Sequence, residues 1–115
     1  MQGEMDIRLI YATFPDTESA RAAAARLVGE GLAACVNMWP GMTSIYQWNG
    51  ALEESQEVVF LAKTTRSRAR EAIEAVVQVH PYDEPAVMLL PVEGGSASFL
   101  DWIRRQTGSE AFEGS

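Results

Sequence analysis

Trp48-Asn49-Gly50-Ala51 places Asn-Gly between two strand-like runs. Asn-Gly is the strongest short-range hairpin signal, because both central residues of a tight turn of this kind need positive φ. The arms run from Ala34 to Trp48 and from Ala51 to Thr64, well beyond the about five or six residues of an ordinary strand. In the second arm Leu52, Val58, Phe60 and Ala62 share one parity, while Val59 and Leu61 take the other. Its distal half is therefore apolar on both faces, and Glu53-Glu54-Ser55-Gln56-Glu57 makes the turn-proximal half polar. Pro40-Gly41 interrupts the first arm and predicts a bulge or kink. Arms of this length project beyond a small sheet and leave Tyr46 and Trp48 uncovered, which favours association with another chain.

Working outward, the apolar residues between Asp6 and Thr13 read as a strand that ends before Pro15. Asp16 is placed to cap a helix whose apolar stripe is Ala20, Ala23, Ala24, Leu27 and Val28, with Gly31 as a left-handed terminator. A second helix starts at Thr65 or Ser67 and reaches about Gln78, with Ala69, Ile73, Val76 and Val77 on its stripe. His80-Pro81-Tyr82-Asp83-Glu84-Pro85 is a loop, since the residue before Pro81 is biased away from helical angles. Ala86 to Val92 is a continuous apolar run, expected as a strand covered on both sides, with Pro91 pointing its ring nitrogen to an edge. Ser96 or Ser98 caps a third helix containing Phe99, Leu100, Trp102 and Ile103. Residues 1–107 thus form one domain and 108–115 a disordered tail. The order βαββαβ plus a terminal helix predicts an α+β, ferredoxin-like sandwich with helices on one face of an antiparallel sheet, its other face closed by oligomerisation.

The 115 residues carry 9 Lys+Arg against 16 Asp+Glu, a net charge of −7. That balance argues against nucleic acid as a partner, since phosphates are repelled and no basic cluster compensates. A single Cys permits no internal disulfide and no multi-thiolate zinc site. The acidic N-terminus lacks the features of an export signal, and no apolar run is long enough for a membrane span. A cytoplasmic location is the expectation.

Several segments together resemble the CutA divalent-cation tolerance family. They are Ala12-Thr13-Phe14-Pro15-Asp16, Leu32-Ala33-Ala34-Cys35-Val36-Asn37, and the run from Pro40 through Tyr46-Gln47-Trp48-Asn49-Gly50. Glu57 through Lys63-Thr64-Thr65 and His80-Pro81-Tyr82 with Pro85 complete the set, so the likeness covers about residues 6–105. The resemblance implies a ferredoxin-like fold, a tight homotrimer, a cytoplasmic bacterial protein, and a link to copper and other divalent cations. The implied architecture is similar to that of PII signalling proteins. In copper-binding members the ligands resemble a Cys at the end of the first strand and two adjacent His before Pro-Tyr. Here those positions hold Ala12 and Val79-His80.

The metal-ligand candidates are therefore His80, the only imidazole, with Asp83 and Glu84 of the same loop, holding copper or another divalent cation weakly. The opposing reading has His80 capping the second helix or hydrogen-bonding within its loop. Lys63, the only lysine, marks a ligand cleft with Tyr82, Trp48 and Cys35; it would bind a small anion or pair with Glu57, Asp83 or Glu84. Cys35 reads most simply as a small apolar strand residue. Three functions follow: a trimeric divalent-cation (copper) tolerance protein, a PII-like trimeric sensor or adaptor taking a small anionic ligand between subunits, or a purely structural oligomer that scaffolds another protein. An enzyme is not expected, because every nucleophile–base scheme must reuse His80.

Overall fold

Asn49 and Gly50 take φ of 52° and 80°, so the hairpin turns where the Asn-Gly pair demands it. The computed structural model describes residues 6–108, and the expected tail at 109–115 lies outside the described residues. Its elements are β1 (Ile7–Phe14), α1 (Thr17–Gly29), β2 (Cys35–Trp48), β3 (Ala51–Thr65), α2 (Arg66–Val79), β4 (Val87–Pro91) and α3 (Ala97–Gln106). The four strands form one sheet in the order β2-β3-β1-β4, and every pair is antiparallel. The β2–β3 arms stretch the molecule to 54 Å against 25 and 21 Å across.

The register sets the core. Ile10, Ala12 and Phe14 of β1 alternate onto the face where β3 presents Val58, Phe60 and Ala62. Ala20, Ala23 and Leu27 of α1 and Ala72, Ala75 and Val76 of α2 close on that face. Alanines at the contact let both helices lie near the sheet, and the Phe14 and Phe60 rings meet at 5.0 Å between centroids. α3 closes one end of the sheet, where Leu100 and Ile103 pack on Ile7 and Ala34. Arg104 ties it to Asp6 at 3.2 Å, and Arg68 Nε donates to the Thr107 carbonyl at 3.0 Å.

Local signals hold where backbone chemistry decides them. Asp16 Oδ1 accepts from the Ser19 N–H at 2.7 Å as the cap of α1. Gly31 has φ of 71° just past its end. The β2–β3 register slips between Trp39 and Met42, at Pro40-Gly41, with Gly41 at φ 90°.

Three expectations are corrected. β4 is not covered on both sides: it pairs only with β1 at the sheet edge, and Met88, Leu89 and Leu90 are all exposed. An apolar run reports that a segment tends to be buried, not that its own chain supplies the cover. Val28 and Val77 also face out, because α1 and α2 meet the sheet through small residues one notch around each helix. The α2 stripe is Ala69, Ala72, Ala75 and Val76, with Ile73 half-buried.

Two measurements check this packing. Phe60→Ala is expected to destabilise the chain by about 3–5 kcal/mol in urea unfolding, since the ring is fully enclosed; a loss below about 1 kcal/mol would place the ring outside the core. Hydrogen bonding from the Ser19 backbone holds the Asp16 carboxyl below its ordinary value of 3.8. Its contribution is present above that value and is lost as pH falls through the lower folded one. Asp16→Ala should therefore lower the melting temperature at neutral pH, with a difference that vanishes in strong acid.

Candidate functional site

The loop after α2 carries the only histidine. His80 ends the helix with its own N–H donating to the Val76 carbonyl at 2.9 Å, and its ψ of 137° obeys the restriction that Pro81 imposes. Its side chain is buried at 7% exposure. Nε2 lies 2.6 Å from the Thr13 carbonyl oxygen, and Nδ1 accepts from the Tyr82 N–H at 3.1 Å. A carbonyl can only accept and an amide N–H can only donate, so the ring is the neutral tautomer with its proton on Nε2. The ring also stacks on Phe14 at 4.4 Å and meets Tyr82 at 5.1 Å.

Asp83 and Glu84, by contrast, are exposed in the bend that follows, and neither makes an ion pair among the described residues. Ala12 is fully buried in the core and Val79 packs against it. Among the described residues no three His, Cys, Asp or Glu side chains converge as a metal-binding group. Since both His80 nitrogens already have partners, His80, Asp83 and Glu84 do not fit a built divalent-cation centre.

The cleft candidates separate into three places. Cys35 and Lys63 are register partners in β2 and β3, with Leu9 continuing the row on β1 and Leu90 on β4. Lys63 Nζ donates to Asn37 Oδ1 rather than to Glu57, Asp83 or Glu84. Glu57 is six residues away on the same strand, about 20 Å at ~3.3 Å per residue, which puts it out of reach. Tyr82 lies in the loop after α2, with its ring 5.1 Å from that of His80. Trp48 pairs with Ala51 at the tip, roughly 40 Å along β3 from Lys63. One chain does not gather these four residues.

Sequence reasoning missed a hollow beside the bulge. A solvent-open cavity of about 260 Å³ lies between the β1–α1 turn and the bulge, lined by Pro15, Asp16, Pro40, Gly41, Glu57 and Val58 among others. Ser44 Oγ donates to Glu57 Oε1 at 2.8 Å and orients the carboxylate. Only the bulge, legible as Pro40-Gly41, hinted at this hollow. The Tyr82 hydroxyl is held above its ordinary value of 10.0, first by burial and then by Glu57, Tyr46 and Asp16. Glu57→Gln should bring the ultraviolet tyrosinate titration of Tyr82 down toward the ordinary range, and an unmoved titration would refute this neighbourhood.

The chain is similar to known proteins over nearly its whole length. Residues 8–106 match the family model described as "CutA1 divalent ion tolerance protein". A Thermus thermophilus protein named "Divalent-cation tolerance protein CutA" is 45% identical over 100 residues, which span 87% of this chain and 97% of that protein. An Arabidopsis thaliana protein named "Protein CutA, chloroplastic" is 38% identical over 99 residues, 86% of this chain and 54% of that longer protein. The solved Thermus thermophilus structure superposes with a TM-score of 0.84 at 44% identity, covering 89% of this chain and 99% of that one. The strand order, the bulged long hairpin and these matches agree: the chain belongs to the CutA1 divalent ion tolerance protein family.

Proposed function

We propose that this chain serves divalent-cation tolerance, copper among the cations, as a cytoplasmic, non-enzymatic homotrimer of ferredoxin-like subunits. Family membership supports the cation link. The observation that carries the assembly is the bare hairpin: Ile45, Trp48 and Leu52 are 62%, 64% and 76% exposed. Trp39 and the β4 run Met88-Leu89-Leu90 add to the uncovered apolar surface. So much exposed apolar surface on so small a chain is stable in water when sibling chains cover it, and the resemblance to the CutA family supports three as their number.

Cation binding in this reading is weak. Asp83 and Glu84 are exposed acids of the loop itself, and the net charge of −7 raises the local cation concentration without a built cage. Among the described residues no helix is long and apolar enough to cross a membrane. The anion-sensor alternative has less behind it, because Lys63 is engaged by Asn37 and lies far along β3 from Trp48.

Sedimentation at micromolar concentration tests the assembly. The wild type should run as a trimer, and Ile45→Glu with Trp48→Glu should shift it toward single chains. A compact monomer of the wild type would overturn the reading.

A further inference from the structure

The geometry points to His80 as a latch that fastens the loop after α2 to the end of β1 and fixes the chain at Tyr82, not as a ligand for copper. This goes beyond the cation-tolerance reading and does not rest on it, since it concerns only what the imidazole does.

The ring has no free coordinating position. Ligation through Nδ1 would take the acceptor from the Tyr82 N–H, leaving an amide donor without its partner. Ligation through Nε2 would displace the proton donated to the Thr13 carbonyl. Either route must also lift a ring of 7% exposure off Phe14, which itself is fully buried against Phe60. Around it, Ala12 offers no donor atom and Val79 packs against the core, and among the described residues no group of three His, Cys, Asp or Glu gathers to repay the displacement.

What the ring does instead is join three elements. Its backbone closes α2 on Val76, one nitrogen holds the end of β1 through Thr13, and the other fixes the chain direction at Tyr82. Tyr82 thereby stands with its ring 5.1 Å from the imidazole. The loop is thus fastened to the end of β1. Copper reaching this chain meets carboxylates rather than an imidazole.

With one histidine in the chain, a long-range proton–nitrogen spectrum of the intact labelled assembly reports this ring alone. It should show a single tautomer protonated at Nε2, unchanged by one equivalent of Cu(II) per chain. Pulsed electron paramagnetic resonance of that sample should show no imidazole nitrogen coupling. His80→Gln should speed exchange of the Tyr82 amide by about tenfold through loss of its acceptor while leaving copper uptake unchanged. Imidazole coupling in the wild type, or selective broadening of the ring signals by Cu(II), would overturn the latch. So would an unaltered Tyr82 exchange rate in His80→Gln. If that variant does not fold, the wild-type spectra alone decide.

Discussion

β3 sustains two environments along one strand, and the rest of the molecule follows from that constraint. Between Val58 and Ala62 it is walled on one face by the helices and flanked by β1 and β2. Between Ala51 and Glu57 only β2 accompanies it, and the pair runs out into solvent. A lone two-stranded ribbon is marginal in water. Its persistence depends on the anchored half, where Phe60 and Ala62 are fully enclosed. Helix placement, the edge position of β4 and the bare arms are consequences of how that anchor is built.

The anchor is made mostly of small side chains. Alanines 20, 23, 72 and 75 let two helices approach a sheet whose bulk comes from Ile10, Phe14 and Phe60. Such a core buries modest area per residue, and a domain of this size has little surplus stability to begin with.

Features legible in the sequence were those that a few adjacent residues decide. Asn49-Gly50, the Asp16 cap, the Gly31 terminator and the Pro40-Gly41 interruption each act through local φ, ψ or one nearby hydrogen bond. What was hidden depends on register between distant strands. Apolarity in residues 86–92 announced burial but not its source, so an edge strand read as an interior one. Lys63 was expected beside a carboxylate, and only the β2–β3 register reveals Asn37 as its partner. His80 was ambiguous for the same reason: its two options differ by where Thr13, Phe14 and the Tyr82 amide stand, and Thr13 is 67 residues away in sequence.

The slip at Pro40-Gly41 reaches further than its size. Between Trp39 and Met42 the first arm advances three residues while its partner moves from Val59 to Glu57, so odd and even positions exchange sides. Cys35, Asn37 and Trp39 below it, and Ser44, Tyr46 and Trp48 above it, consequently line the same side of the sheet, away from α1 and α2. Removing one residue here would restore unbroken alternation and turn Tyr46 and Trp48 over to the opposite side. Chain length is thus free to vary at an exposed tip but is counted, to the residue, at this kink.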